Sequence, residues 1–227
     1  MHHKILPAVL LLILVLVSTD GAALDGAVDR WAAAIGGRDK IASIKSIYRE
    51  AAIQYGEYQG TAKFWHTADG KYRKEETVGP YSTVEVFDGV NGAVQQGNQP
   101  VHVMATDELE QARSKRYANS NAIFFVFSSN RRGSVTQPAN DTIVFKPEGG
   151  VEWRVMLDPQ TSLPKTMVHQ EGDRTITVTF DSYETVEGFK LEKELHRSAG
   201  GPAGAVIRFS KTVINQTMEA SLFSISK

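Results

Sequence analysis

Apolar residues recur every three or four positions between residues 24 and 35. This spacing places side chains on one face of an α-helix. Gly36 and Gly37 follow, and glycine commonly ends a helix. The pattern predicts an amphipathic helix whose apolar face covers another element, and that face comprises Leu24, Ala27, Val28, Trp31, Ala32 and Ile35.

After residue 45 the apolar period changes to about two residues, the period of a β-strand. Ile47, Ile53 and Tyr55 fall on the apolar side of residues 45–56, with polar residues between them. Arg49 falls on the apolar side as an exception. The segment is therefore predicted to be a half-buried strand with an arginine on its inner face.

Many strand-like segments follow, separated by Gly, Pro, Asn and Asp residues that favour turns. One separator is the stretch VMLDPQTSLPK, residues 155–165, where Asp158 and Pro159 favour a turn between two strands. About a dozen such segments with few helices predict an antiparallel sheet that buries one face by curling. The helices would cover the concave side, and the sequence leaves open whether that side is filled or hollow.

Three segments between the two runs of strands need separate interpretation. Residues 106–118 are predicted to be helical, with Asp107 and Glu110 at the spacing of a capping box. The apolar run 123–127 fits a helix or a strand equally well. Residues 130–141 are predicted to be either a loop or a mobile edge of the sheet.

The N-terminal residues have the order of a secretory signal peptide. A basic start is followed by an apolar run from Ile5 to Val17, and then by small and polar residues up to Ala23. We expect residues 1–23 to be a signal peptide and residues 24–227 to form one domain. The sequence contains no cysteine, so we expect no lipid anchor and a soluble protein in the periplasm.

Charge and motifs give little sign of nucleic-acid binding or catalysis. The formal net charge is -1, which offers no attraction for nucleic acid or anionic surfaces. The sequence lacks nucleophile-elbow, phosphate-loop, dinucleotide and HExxH motifs, and its histidines are isolated. Glu192 and Glu194 are two apart on a strand, but lysines interleave, which favours a solvated face. We therefore expect no catalytic residue, no metal and no cofactor.

Several segments carry a family resemblance. LDPQTSLPKTM has the pattern L-D-P-x-T-x-L-P, and AIGGRDKIASIKSI, KYRKE, VEVFDGVNGAV, TVTFDSYETVEGFKL and INQTMEASLF occur around it in order. Together they span nearly all of residues 24–227. This ordered set resembles the LolA/LolB-like superfamily of periplasmic lipoprotein carriers and outer-membrane lipoprotein-sorting proteins.

The resemblance implies an α+β fold in which one antiparallel sheet curls into an unclosed β-barrel with helices over its open face. It implies a hydrophobic cavity for acyl chains and a periplasmic carrier or chaperone that moves lipids or lipoproteins toward the outer membrane. The implied partners are a lipid or an acylated protein, with transfer partners at the inner and outer membranes. We expect a monomer that acts without a cofactor and is not an enzyme.

The alternation of the strands and the first helix predicts which residues would line such a cavity. Burial of hydrocarbon there would contribute about 0.8 kcal/mol per CH₂ group. Arg49 and Arg73 are predicted to face inward, where each would meet a ligand head group or form a structural ion pair, as Arg73 would with Glu75. The predicted ligand-binding residues are Trp31, Ile35, Ile47, Arg49, Ile53, Tyr55, Phe64, Tyr72, Arg73, Val84, Val86, Trp153, Val155 and Met167.

Two other hypotheses fit the same sequence. A cofactor-free enzyme would use the half-barrel as a reaction chamber, with Arg49 and Arg73 positioning a small anionic substrate. A structural or interaction module would have a barrel filled by its own side chains. Polar groups converging on the cavity floor favour the enzyme, whereas a filled interior favours the module.

Overall fold

The computed structural model describes residues 24–200 and 204–225. The predicted signal peptide, residues 1–23, lies outside this part of the chain. No helix within the described residues is long and apolar enough to cross a bilayer. The α-helices are α1 (Leu24–Ile35), α2 (Arg38–Ser43), α3 (Thr106–Lys115) and α4 (Ile123–Val126), and two 3₁₀ turns span Asn119–Ala122 and Ala220–Phe223.

Thirteen strands form one antiparallel sheet. They are β1 (Ser46–Tyr55), β2 (Tyr58–Thr67), β3 (Tyr72–Val78), β4 (Tyr81–Phe87), β5 (Gly92–Gln96), β6 (His102–Val103), β7 (Gly133–Ala139), β8 (Thr142–Pro147), β9 (Trp153–Leu157), β10 (Pro164–Glu171), β11 (Arg174–Val186), β12 (Phe189–Ser198) and β13 (Gly204–Ile214).

The sheet order shows how two meanders join without closing. The order is β6-β5-β4-β3-β2-β1-β13-β12-β11-β10-β9-β8-β7, so the first and last strands of the chain pair at the centre. The short β6 and the proline-bearing β7 are its two edges. This single unclosed sheet with few helices confirms the predicted fold class.

The apolar helix and strand faces meet on the concave side of the sheet. α1 packs against β7, β8 and β12 and buries Ala27, Val28, Trp31, Ala32 and Ile35 there. Burial of this stripe stabilises a helix that is too short to be stable alone in water. The apolar run 123–127 begins with α4, in which all four residues are buried, and Trp31 packs against Phe127 with ring centroids 5.3 Å apart. We call α1 together with residues 119–126 the helical cover.

α3 connects the two ends of the sheet. Its N-terminus follows β6, and the Ser114 hydroxyl near its C-terminus accepts a hydrogen bond from Val151 N (2.8 Å) and donates one to Val151 O (3.0 Å) before β9. The predicted capping box at Asp107 is wrong, because the carboxylate of Glu108 accepts the backbone N–H of Ala105 instead (2.8 Å). The helix therefore begins two residues earlier than that prediction requires.

The predicted hairpin connection and sheet edge are both present. Asp158 Oδ1 accepts the backbone N–H groups of Gln160 (3.0 Å) and Thr161 (2.9 Å), which holds the turn between β9 and β10. Most of residues 130–141 form the edge strand β7, so the edge alternative describes this segment better than a loop.

Candidate ligand site beneath the helical cover

Six of the fourteen predicted ligand-binding residues lie together on the concave face. Trp31 and Ile35 come from α1, and Ile47, Trp153, Val155 and Met167 come from strands β1, β9 and β10. All six are buried in one hydrophobic cluster with the aromatic residues of α4. The sheet and the helical cover thus bring these residues into one place, where a role in ligand binding stays a prediction.

Three other predicted residues lie on the same face but in different surroundings. Tyr72 is buried in a second cluster with Phe87 and Met104 beneath α3. Ile53 is buried in a third cluster near the far end of β1, and the half-buried Phe64 lies between that cluster and the main one. The concave face is therefore divided into parts rather than forming one continuous wall.

The prediction that Arg73, Val84 and Val86 face the concave side is wrong. Neighbouring residues of a strand point to opposite faces. Since Tyr72 points inward, Arg73 points outward, and Val86 is paired directly with it in β4. Arg73 donates hydrogen bonds to Glu75 Oε1 (2.7 Å) and to the carbonyl of Leu222 (3.1 Å), so its structural ion pair lies on the convex face under the C-terminal segment.

Tyr55 also departs from the predicted wall. It is the last residue of β1, and 51% of its surface is exposed. The alternation places it on the inner side, but the strand has already passed beyond the part of the sheet that the helices cover.

Arg49 is buried on the concave face in an ion pair that crosses the centre of the sheet. Its Nη1 lies 2.6 Å from Glu192 Oε1, its Nη2 donates to the carbonyl of Glu192, and its Nε donates to Thr212 Oγ1 (3.1 Å). The guanidinium carbon lies 3.3 Å from the centre of the Phe209 ring. Burial lowers the pKa of Arg49, and the charge of Glu192 opposes that effect.

Glu192 also contacts the helical cover. Its Oε1 accepts the backbone N–H of Ser120 at 3.5 Å, while its buried Oε2 has no hydrogen-bond partner among the described residues. Glu192 borders a cavity of only about 20 Å³, and side chains fill the concave side around it, which is the arrangement expected of a structural or interaction module. The cavity is lined by Trp31, Ile35, Ser120, Ile123, Pro164, Phe180, Tyr183, Lys190, Leu191 and Glu192.

Comparison with known proteins finds similarity in structure only. No family model and no curated protein matches the sequence. A LolA superfamily protein from Nitrosomonas europaea superposes with a TM-score of 0.57 at 9% identity, covering 89% of this chain and 97% of that one. A DUF1329 family protein from Desulfovibrio piger gives a TM-score of 0.53 at 11% identity, with the same coverage of both chains. The chain has the LolA-like fold.

Within this LolA-like fold, sequence reasoning missed the role of Glu192. The solvated face predicted for Glu192 and Glu194 is right only for Glu194, which pairs at the surface with Arg208. The register between β11 and β12 shifts on both sides of Ser182, so the simple alternation fails there. Arg49 could have indicated this role, because an arginine on the inner face of a sheet needs a buried acidic partner.

A second polar cluster lies beneath α3. The Tyr72 hydroxyl donates to Glu85 Oε1 (2.5 Å), and Lys115 Nζ of α3 lies 3.4 Å from the same oxygen. Burial tends to raise the pKa of Glu85, but the charge of Lys115 and the other donors lower it overall. His66 stacks on Tyr72 with ring centroids 5.9 Å apart, and burial, with the nearby charge of Arg49, lowers its pKa to about 3.

A third polar cluster of the LolA-like fold involves strands β9, β10 and β12. Trp153 stacks on His169 with ring centroids 3.8 Å apart, and His169 Nε2 lies 3.1 Å from Glu171. Arg197 donates to both oxygens of Glu171 at 2.9 Å. Burial tends to raise the pKa of Glu171, but the hydrogen bond of His169 and the charge of Arg197 hold it well below its usual range.

An open groove of about 630 Å³ lies at one end of β7 and β8. It is lined by Arg132, Gly133, Ser134 and residues 146–149, and includes no residue of the predicted ligand site. Because the groove is open to solvent, it encloses little of a hydrocarbon chain. The concave face remains the candidate site.

Proposed function

We propose that this protein is an exported carrier or chaperone that holds the acyl chains of a lipid or lipoprotein on the concave face of its half-barrel. The structure then represents the closed, resting state, in which the helical cover occupies the place of the ligand. The signal peptide expected at residues 1–23 would deliver the protein to the periplasm. A membrane donor and a membrane acceptor would supply and remove the lipid.

The observation that carries this proposal is that the helical cover meets the concave face mainly through apolar side chains. Such a layer can be exchanged for hydrocarbon with the loss of few polar contacts, among them the Ser120 N–H bond to Glu192. Burial of Val28, Trp31 and Ile35 contributes about 1.5–3 kcal/mol per side chain. A chain of ten CH₂ groups contributes about 8 kcal/mol on burial, so exchange for these three side chains of α1 is close to balanced, whereas displacement of the buried α4 as well costs more.

The polar connections of α1 to the sheet are few and lie near the surface. Ala27 N donates to Gln137 Oε1 (3.1 Å), and Arg30 lies 2.6 Å from Asp141 in an exposed ion pair. An exposed pair of this kind contributes at most about 1 kcal/mol. These contacts guide α1 to its place but do not prevent its movement.

The end of α1 suits such a movement. Gly36 and Gly37 follow the helix with φ angles of 133° and 97°, which glycine adopts far more easily than other residues. This pair separates α1 from α2 and can act as a hinge. The helix would then leave the concave face as a unit.

The first test is native mass spectrometry of protein purified from its own cell envelope. We expect a mass increase that corresponds to a bound lipid or acylated peptide, or uptake of added lipid by the empty protein. Absence of any adduct under both conditions argues against the proposal.

A tether tests the movement directly. Because the natural chain has no cysteine, Gly26→Cys with Gln137→Cys supplies one unique pair, and a short bifunctional maleimide would join α1 to β7. We expect the joined protein to take up no lipid. The same double variant with each cysteine blocked separately is the matched control and should take up lipid normally, so equal uptake by both forms contradicts a moving cover.

The Arg49–Glu192 pair favours a second candidate function, a cofactor-free enzyme, because polar groups do converge on the floor of the concave face. Its test is incubation of the protein with a small-molecule extract of its own cells, followed by mass spectrometry. Conversion of any component that is lost in Glu192→Gln supports this candidate. Against it, each nitrogen of Arg49 already donates a hydrogen bond within the protein.

A further inference from the structure

One oxygen of Glu192 is buried without a hydrogen-bond partner in a site whose walls are mostly apolar. Glu192 is only 2% exposed, and its Oε2 has no hydrogen-bond partner among the described residues. Buried carboxylate oxygens are normally satisfied, because leaving one without a partner is costly. Glu192 lines the cavity of about 20 Å³ beneath α1, which has room for a single small polar atom.

Two of the charged or hydroxyl groups beside Glu192 are committed elsewhere, and a third is exposed. Arg49 binds the other oxygen of Glu192, the Tyr183 hydroxyl donates to the carbonyl of Pro164, and the side chain of Lys190 is at the exposed rim. Burial raises the pKa of Tyr183, and the negative charge of Glu192 adds to the effect. Among the described residues that line the cavity, the buried charge without a partner is therefore the negative one of Glu192, while the cation, Lys190, is exposed to solvent.

We infer that Glu192 is a selectivity site that accepts a hydrogen bond from an uncharged hydroxyl or amide N–H at the polar end of an acyl chain and disfavours carboxylate ends. The inference rests on the proposed carrier function and names the class of lipid it would prefer. Candidate ligands are acylglycerols with a free hydroxyl and N-acyl amides.

Displacement of the helical cover strengthens the need for such a donor. When residues 119–126 move away, Glu192 Oε1 loses the N–H of Ser120 as well. A hydroxyl or amide of the ligand then replaces that donor and satisfies the free oxygen. A carboxylate placed there brings a second negative charge next to Glu192 in a site from which water is excluded.

Three probes with the same hydrocarbon chain separate these effects: dodecanol has a donor, methyl dodecyl ether has none, and dodecanoate is an anion. Their affinities can be measured by intrinsic fluorescence, since Trp31 lines the cavity. We expect dodecanol to bind about tenfold more tightly than the ether, as one hydrogen bond to a charged acceptor implies. Dodecanoate should bind more weakly than the ether.

The outcomes of this series are distinct. Equal affinity of dodecanol and the ether, or strongest binding of dodecanoate, overturns the inference but leaves the carrier function standing. Failure of all three probes to bind overturns both.

A matched pair of variants tests the residue itself. Glu192→Gln keeps the shape of the side chain and removes its charge, so the preference for dodecanol over dodecanoate should fall at least about fivefold. Glu194→Gln, two residues along β12 and paired at the surface with Arg208, should leave the preference unchanged. An unchanged preference in Glu192→Gln overturns the inference, and the probe series on the natural protein decides it if that variant fails to fold.

Discussion

Arg49 and Glu192 are two charges in a region where water cannot solvate them. Removing one partner leaves the other buried and uncompensated, which typically costs 3–5 kcal/mol. We predict that Arg49→Ala lowers the free energy of unfolding by about 3–5 kcal/mol, measured by urea denaturation.

The double variant Arg49→Met with Glu192→Leu removes both charges and keeps most of the volume. It should recover most of the lost stability, because apolar replacements for a buried ion pair are often neutral. Arg208→Ala breaks an exposed pair with Glu194 and should cost less than about 1 kcal/mol. Equal effects of Arg49→Ala and Arg208→Ala would contradict the burial argument.

The low pKa of the buried His66 leads us to predict a loss of stability in mild acid. Its pKa is about 3 in the folded protein, against 6.5 in the unfolded chain. Below pH 6.5 the unfolded chain binds a proton that the folded chain does not, so stability falls as the pH falls from about 6.5 toward 3. At pH 5 the contribution is about 2 kcal/mol.

His66→Asn should remove this part of the pH dependence, measured as urea midpoints between pH 5 and 7.5. His102→Asn makes the same change at the surface, and its slope is measured alongside for comparison. If the urea midpoint of His66→Asn depends on pH as strongly as that of the natural protein, another group causes the pH dependence.

Individual residues differ in how far sequence could predict them. Arg49 was recognisable because it interrupts an apolar alternation, and that alternation holds in the structure. The same rule failed for Arg73, because only one of two neighbouring strand residues can face inward and the apolar Tyr72 does so. The burial of Glu192 was not predictable, because it depends on register shifts in the pairing of β12 with β11.

At the scale of elements, α3 is held by a close approach to the loop before β9. A Cβ atom added to Gly150 would lie 2.4 Å from the Ser114 hydroxyl, which is itself bonded to Val151. We predict that Gly150→Ala breaks this connection and costs about 1–3 kcal/mol in the free energy of unfolding.

The test is a double-mutant cycle with Ser114→Ala. Without the Ser114 hydroxyl the added Cβ atom has no such close contact, so Gly150→Ala should lower the free energy of unfolding less in the Ser114→Ala background than alone. Additive effects would show that the contact does not hold α3.

Elements whose apolar residues recur with a clear period were predictable, and those whose structure depends on tertiary packing were not. α1 and β1 have the expected stripes because each buries one face. α4 is buried on all sides, so its sequence carries no period that would distinguish a helix from a strand. β7 could be predicted only as a loop or an edge, because Pro138 and the polar residues around it suit either a loop or a strand with one free side.

At the scale of the whole molecule, curling of the sheet followed from the sequence, but the content of the concave side did not. A sheet of many half-buried strands must cover its apolar face, and that requirement is visible in the alternation. Whether its own helices or a ligand provides the cover depends on a small difference between large packing energies. Both arrangements use the same apolar residues, so the pattern is equally compatible with either.

That balance leads to a prediction for the whole molecule. α1 has 12 residues, and a helix of this length is marginal in water once it leaves the surface that stabilises it. If dodecanol replaces the helical cover, amide protons of α1 and residues 119–126 should exchange faster at saturating dodecanol, whereas those of β1 and β13 at the sheet centre should not. Hydrogen exchange followed by mass spectrometry resolves these segments, with the protein joined between positions 26 and 137 as the control in which α1 stays protected. Slower or unchanged exchange in α1 at saturation would mean that the ligand binds elsewhere, since a chain cannot enter the filled concave side while its cover stays in place.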